Sequence, residues 1–351
     1  MKTQNAKFLT IGNADSRRVQ FWQNALSQEN YSYELLSYEE LCNNVFTKIK
    51  NPTTLRITST GEDIELKKKI LKIGGCPNVD DLLFQKGLIY PNRYWYRGWC
   101  VVLEKIEKFI QQNPMLHVMN TPAAIRLAFH KLNCQKLLQQ KNISTPEIIL
   151  EQVLDYDSLI LKLQSENIRQ VFIKPYHGSS ASGVMAFRQA NGKQILYTTI
   201  ELKPDGKLFN NLRLQKYTSI SKIKTIINSM IPSGLMVEEW IRKKKFRDKS
   251  VDLRILVVDG KASFVVPRMS HHFITNLHLG NEKGKIELLK NAWGEDLIKN
   301  AETLAVRAVE AIGGLFYAGV DVAISDKGVS YVLEVNAFGD MLLDIFDTAL
   351  K

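Results

Sequence analysis

The chain has 351 residues, 45% hydrophobic and 24% charged, an ordinary globular composition with length enough to bury a large core in two or three lobes. No apolar run approaches the roughly 20 residues of a membrane span. The formal charge of +11 asks for an acidic partner such as ATP, a polyphosphate, an acidic peptide or nucleic acid, but no RNP motif or zinc finger accompanies it.

The N-terminal MKTQNAKFLTIGNADSRR lacks the long apolar region and small-residue cleavage site of a signal peptide. It reads as a strand over 8–11, a glycine turn, and a helix from Asp15. YSYELLSY and TTLRITS continue an alternation of short β-runs with helical patterns, which predicts an α/β lobe with a parallel sheet. RGWCVVLEKIEKFIQQ is amphipathic at helical spacing and ends at Asn113-Pro114. The aromatic cluster RYWYRGWC, residues 93–100, is expected to pack the first lobe against the rest; stacking on a base or sugar is the other use of such a cluster. MLHVMN follows as a short strand. Thr121-Pro122 then opens one helix through AAIRLAFHKLNCQKLLQQ, with Thr121 as N-cap and proline in the first turn.

Beyond residue 147 the chain is strand-rich. EIILEQV, RQVFIKP, GVMAFRQ, QILYTTI, LMVEEWI, VDLRILVV and KASFVVP read as strands, and VVDGKA as a tight hairpin. A helix, LIKNAETLAVRAVEAIG, precedes two last strands, LFYAGVDVAI and VSYVLEVNA, joined by a turn at 325–328. There is no internal repeat. Cys42, Cys76, Cys100 and Cys134 form no CxxC pair, so a zinc ribbon or redox motif is not indicated, and a reducing cytoplasm is expected.

Three constellations carry chemistry. Glu334 and Asn336 lie two apart and share one face of a strand, where Asp321 can join them across a hairpin. Two carboxylates and a carboxamide make an all-oxygen set suited to Mg²⁺, or Mn²⁺, shared with phosphate. Taken alone they also fit a wet strand. In FIKPYHGSSASGVMAF, Lys174 precedes Gly178, Ser179, Ser180, Ser182 and Gly183. A lysine and close-approaching backbone amides suit phosphate oxygens. The order reverses that of a P-loop, and a plain hairpin turn is the other reading. LMVEEWI sets Glu238 and Glu239 in an apolar run that can flank an adenine, and Asp252 follows at a distance suited to ribose hydroxyls.

In this order the motifs resemble the ATP-grasp superfamily over about residues 120–345, most of all the branch of ribosomal-protein glutamate ligases and glutathione synthetases. The resemblance implies an ATP-grasp fold, α/β overall with α+β character in its later lobes. It divides the chain into an N-terminal α/β lobe at 1–118, a central subdomain with the phosphate loop at 119–235, and a C-terminal subdomain at 236–351. It implies that Lys131, with Lys136 as competitor, and Lys174 contact phosphates, and that residues 178–183 cover them. Glu238, with the backbone of Glu239, Trp240 and Ile241, would form the adenine hinge, and Asp252 would hold the ribose. Arg254 and Arg268 would lie near phosphate or the acyl substrate. Asn276 and His278 would line the reaction centre. Asp321, Glu334 and Asn336 would bind the metal. The family's Pro-Gly turn after the last metal ligand is replaced by Phe338-Gly339-Asp340, and its paired glycines after "NLH" by Gly280-Asn281, both near the acceptor pocket.

The expected activity is that of an ATP- and Mg²⁺-dependent ligase. It would convert a carboxylate to an acylphosphate and join it to an amine, on a small molecule or a peptide. Two other readings stand beside it: a kinase of the same fold acting on an alcohol of an anionic acceptor, and a nucleotide-binding regulatory protein without turnover. IRKKKFRDKS, with six basic residues and one acid, is a solvated loop or a dock for an anionic acceptor. His271, His272 and His278 lack a fourth ligand at zinc spacing, and the first two are candidates for the acceptor site beside Arg268.

Overall fold

The computed structural model describes residues 7–43, 52–61, 63–82, 85, 87–90, 92–178, 182–275 and 281–339. Ser179, Ser180, Asn276 and His278 lie outside them.

The first lobe is a parallel sheet in the order β2-β1-β3-β4, formed by β1 (Lys7–Ile11), β2 (Ser32–Leu36), β3 (Thr54–Ile57) and β4 (His117–Val118). Its helices are α1 (Arg17–Gln28), α2 (Tyr38–Cys42), α3 (Ile64–Ile73) and α4 (Asn92–Gln111). Trp99, Val102, Leu103, Ile106 and Phe109 recur at helical spacing along α4 and bury one stripe. Trp99 is fully buried and edge-on to Tyr38 within the lobe, while Trp95 packs on Phe129 and Tyr96 stacks on His177 beyond it, so the aromatic cluster packs the first lobe against the rest as expected. Helices α3 and α4 touch backbone to backbone. A Cβ on Gly98 would sit 1.9 Å from the Ile70 carbonyl oxygen, which only glycine avoids.

The helix expected over 121–140 is two helices, α5 (Pro122–Phe129) and α6 (Lys131–Gln140). His130 breaks them apart with φ −100° and ψ 90°, and its Nδ1 caps the second by accepting from the Asn133 amide at 3.3 Å. The break starts α6 at Lys131, whose amide bonds the Tyr176 carbonyl at 2.9 Å.

The second sheet runs β5-β10-β6-β7-β8-β9. It comprises β5 (Ile148–Leu150), β6 (Gln170–Pro175), β7 (Met185–Ala190), β8 (Lys193–Leu202), β9 (Leu208–Tyr217) and β10 (Leu235–Glu239). Helices α7 (Tyr156–Ser165) and α8 (Ile220–Met230) cover it and close a core of its own around Ile173, Phe187, Ile226 and Val237. The third sheet holds β11 (Lys245–Phe246), β12 (Lys249–Val258), β13 (Lys261–Ser270), β14 (Glu282–Lys283), β15 (Tyr317–Ile324) and β16 (Ser330–Asn336), in the order β14-β13-β12-β15-β16 with β11 on β12. The predicted VVDGKA hairpin forms with Asp259 and Gly260 both at positive φ, the requirement of a two-residue type I′ turn. Helices α9 (Ile286–Trp293) and α10 (Glu295–Ile312) pack on this sheet. All eight residues of β15 are buried, and its core is continuous with that of the first lobe.

Buried Asn120 ties the first lobe to the third. Its amide nitrogen donates to the Tyr317 carbonyl at 2.9 Å and the Ala337 carbonyl at 2.5 Å, while its oxygen accepts from the Phe316 and Tyr317 amides. The second sheet thus has a separate core, and a cleft lies where it faces the third.

Candidate active site

The wall from the second sheet comes from β6 and β10, paired antiparallel so that Lys174 opposes Met236 and Phe172 opposes Glu238. Lys174 and Phe172 share a face by the two-residue period, so the lysine reaches Glu238 diagonally. The two form a buried ion pair through Glu238 Oε1. Burial pushes the Glu238 carboxyl up, against the pull of the Lys174 ammonium.

The other wall is one face of the third sheet. Arg268 on β13 opposes Asp252 on β12; Arg254, two residues along, opposes Asp321 on β15; and Asp321 opposes Glu334 on β16. Three strand registers therefore bring five charged side chains into one row. A bulge where Asp321/Val322 meet Glu334/Val332 turns both Leu333 and Glu334 to the cleft. Asp321 Oδ1 accepts from Arg254 Nε at 2.6 Å and from Arg268 Nη2 at 2.8 Å, and its Oδ2 from Arg254 Nη2 at 3.2 Å. Burial pushes the Asp321 carboxyl up, but the two guanidiniums outweigh it and hold it below the usual range. Arg268 moves the opposite way: burial lowers it, and Asp321 and Asp252 more than restore it.

Lys131 bridges the walls. Its Nζ donates to Glu334 Oε1 at 2.6 Å and to the Gly178 carbonyl, at the start of the Gly/Ser stretch, at 2.8 Å. The competitor, Lys136, pairs with Glu151 in a half-exposed contact instead. Gly183, at the far end of that stretch, has φ +74°, and a Cβ there would meet Met230 Cε at 2.8 Å. Just before the stretch, the Tyr96 ring stacks on His177 at 3.8 Å, and Asn92 Nδ2 donates to the His177 carbonyl at 3.2 Å. Burial, with His130 and the Lys131 ammonium nearby, lowers His177 to about 3.

The cleft encloses about 680 Å³ of atom-free space, open solvent at its mouth included. Lys174, Glu238, Glu239, Ile241, Asp252, Arg268, Asp321 and Glu334 line it, together with apolar Phe172, Val184, Phe273, Ile274 and Leu333. Arg254 and Lys131 join through their ion pairs. The Trp240 side chain packs between Phe172 and Phe273, under Arg188, and is absent from the lining. Asn336 donates its amide to the Gly319 carbonyl at 3.3 Å beside Glu334. Ser182 is half-buried. His271 and His272 are exposed.

Sequence reasoning passed over Lys243, which it placed in the basic loop. That side chain is only 9% exposed and lines the cleft, whereas its neighbour Arg242 is 80% exposed. No pattern in the run of lysines marks one as buried. The aromatic and aliphatic lining was also missed, because its members come from four separate segments.

Three buried polar atoms in this cleft have no hydrogen-bond partner: Glu238 Oε2, Asp252 Oδ1 and Arg268 Nε. An orphan of this kind costs about 1–3 kcal/mol unless a ligand meets it. Two acceptors and a donor beside an apolar slot fit a nucleotide. Among the described residues no group of three His, Cys, Asp or Glu side chains could hold a metal; Asp321 and Glu334 oppose each other in register, and Asn336 lies two residues past Glu334 on the same strand. Their all-oxygen chemistry fits Mg²⁺ sharing phosphate ligands.

A family model described as YheC/D like ATP-grasp matches residues 120–340. The chain belongs to the YheC/D-like ATP-grasp family. This ATP-grasp chain is also similar to coenzyme gamma-F420-2:alpha-L-glutamate ligases. It is 32% identical to that of Methanococcus maripaludis over 125 residues, 36% of this chain and 40% of the relative. It is 27% identical to that of Methanocaldococcus jannaschii over 220 residues, 62% and 61% of the two chains. The matches thus span less than two thirds of these relatives' lengths. Among solved structures, D-alanine–D-alanine ligase from Bacillus anthracis complexed with ATP aligns with a TM-score of 0.54 at 14% identity, covering 98% of this chain and 92% of that one. The ATP-grasp ligase PsnB, complexed with a phosphomimetic variant of its minimal precursor, Mg and ADP, aligns at 0.53 and 14%, covering 97% and 91%. These likenesses establish the ATP-grasp fold, as the order of motifs led us to expect. No helix among the described residues is long and apolar enough to cross a membrane.

Proposed function

We propose that this protein is an ATP- and Mg²⁺-dependent ligase that activates a carboxylate as an acylphosphate and joins it to an amine. The observation that carries the reading is the cleft itself. Lys131, Lys174, Arg254 and Arg268 converge there on Glu238, Asp321 and Glu334, and buried acceptors at Glu238 and Asp252 await donors. The glutamate-ligase names of the curated relatives support the same chemistry.

In this reading the adenine lies in the slot of Phe172, Val184, Ile241 and Leu333, with Glu238 and the backbone of Glu239, Trp240 and Ile241 at its edge. Asp252 accepts from the ribose. Lys131, Lys174, Gly178, Ser179, Ser180, Ser182 and Gly183 surround the phosphates. Asp321, Glu334 and Asn336 would hold Mg²⁺, or Mn²⁺, which when bound neutralises phosphate charge. Arg254 and Arg268 stabilise the charge that develops as the substrate carboxylate takes the γ-phosphoryl group and ADP leaves. The amine then attacks the acyl carbon and phosphate departs. Asn276 and His278 belong to the acceptor side of this proposal. Cytoplasmic placement belongs to it as well, with Cys42, Cys76, Cys100 and Cys134 all free thiols.

The test is a phosphate-release screen across carboxylates and amines, with products identified by mass spectrometry. An amide product that is lost in the Asp321→Asn/Glu334→Gln double variant supports the reading. A phosphorylated alcohol in place of an amide, or turnover unchanged in the double variant, overturns it.

A further inference from the structure

We propose that Lys243 is the positioning residue that makes this cleft select a ribonucleotide, by holding Asp252 through one oxygen so that the other faces a sugar hydroxyl. The inference rests on the reading of the cleft as a nucleotide site and goes beyond it in naming what sets sugar selectivity.

Lys243 is turned inward by its backbone. The amide of Lys244 bonds the Ile324 carbonyl at 2.7 Å, the Asp326 amide bonds the Arg242 carbonyl at 2.9 Å, and Lys243 bridges to Ser325. These contacts pin residues 242–244 against the turn after β15 and direct Lys243 into the cleft while Arg242 points out. Inside, Lys243 Nζ donates to Asp252 Oδ2 at 3.1 Å, the Phe273 carbonyl at 3.2 Å and Thr275 Oγ1 at 3.0 Å. An ammonium has three donors. All three are used, so this lysine, unlike Lys131 and Lys174, has none to offer a phosphate. Its role is to fix Asp252.

Asp252 is buried, and its Oδ2 lies 3.8 Å from Arg268 Nη2 as well as 3.1 Å from Lys243. Both cations therefore sit on one oxygen. Oδ1 is buried without a partner. A carboxylate free to turn would share its oxygens between the two cations; Lys243, anchored also at 273–275, holds it one way. A buried acceptor waiting for a hydroxyl rejects a ligand that lacks one, because the acceptor is then left unpaired. The same carboxylate loosened by loss of Lys243 turns to Arg268 and loses that selectivity.

The experiment compares binding of ATP and 2′,3′-dideoxy-ATP, both with Mg²⁺, by calorimetry on the full chain. Wild type is expected to prefer ATP by about 10- to 100-fold, the range of a hydrogen bond to a charged group. Lys243→Met should reduce the ratio to below about threefold while dideoxy-ATP affinity changes little, and Lys243→Arg should restore part of it. Asp252→Asn should lower the ratio with Lys243 in place. If Lys243→Met does not fold, Thr275→Val, which removes one anchor of the ammonium, should still lower the ratio. A ratio unchanged in these Lys243 or Thr275 variants overturns the proposal, and Asp252 then acts without its lysine. Wild type binding both nucleotides equally overturns it too, while leaving the nucleotide site standing. Wild type binding neither overturns the nucleotide reading itself.

Discussion

Replacing Glu334 by glutamine should tighten nucleotide binding when no metal is present. Lys131 is a phosphate lysine in the proposed function, yet here its ammonium sits 2.6 Å from Glu334 Oε1, with side chains 12% and 29% exposed. A metal-free nucleotide must draw Lys131 away from that carboxylate. A charge-assisted hydrogen bond is worth about 1.5–3 kcal/mol net, and a neutral amide keeps about half of it. Glu334→Gln should therefore bind ADP in EDTA about threefold to tenfold more tightly than wild type. With Mg²⁺ the order reverses, because the cation that releases Lys131 in wild type has lost a ligand. Calorimetric titration of ADP in EDTA and in Mg²⁺ measures both limits. Glu104→Gln, an exposed carboxylate on α4, makes the same change in net charge and should do neither. If Glu334→Gln binds ADP in EDTA no more tightly than wild type does, Lys131 does not exchange between carboxylate and phosphate.

Asn120→Ala removes four hydrogen bonds, three of them buried, while the Phe316 amide keeps the Met119 carbonyl at 2.7 Å, and should cost about 2–4 kcal/mol in urea unfolding; a loss under about 1 kcal/mol would show that other contacts hold the junction. Asp321→Asn removes the carboxylate shared by Arg254 and Arg268, and should lower stability by about 3–5 kcal/mol at pH 7 besides ending ADP formation. Because that carboxyl is held low in the folded state, its contribution is present above about pH 4 and is lost as pH falls further, so wild type and variant should converge in acid. His177 is held near 3 when folded, against about 6.5 unfolded, so protonation favours the unfolded chain. Its contribution is complete above about pH 6.5 and is lost on acidification, by at most about 5 kcal/mol at pH 3. His177→Phe keeps a ring against Tyr96 and should flatten that acid limb of the stability curve; an unchanged limb would mean His177 titrates normally.

Local pattern carried much of the reading. The alternation of β1, α1 and β2, the stripe along α4 and the Asp259-Gly260 turn are decided by side chains within a few residues of one another, and all formed where expected. Where a local signal competed with a distant partner, the partner won. AAIRLAFHKLNCQKLLQQ reads as one helix, yet the Lys131 amide bonds Tyr176, and the chain breaks at His130. Helices α7 and α8 and strand β9 went unread; β9 pairs with β8 just upstream, so no distant partner accounts for that omission.

The sequence by itself determined which chemistry was on hand: the lysine before a Gly/Ser stretch, the acidic strand of LMVEEWI, and carboxylates at 321 and 334. Residue type and two-residue spacing are local properties, and they sufficed to order the motifs as an ATP-grasp chain. Tertiary structure alone decided the pairing. Whether Asp321 meets Arg254 or Glu334 depends on the register of β12, β15 and β16, and a slip of one residue would turn each to the other face. In the same way three adjacent lysines are equal in the sequence, and only the turn at 324–326 sends Lys243 inward.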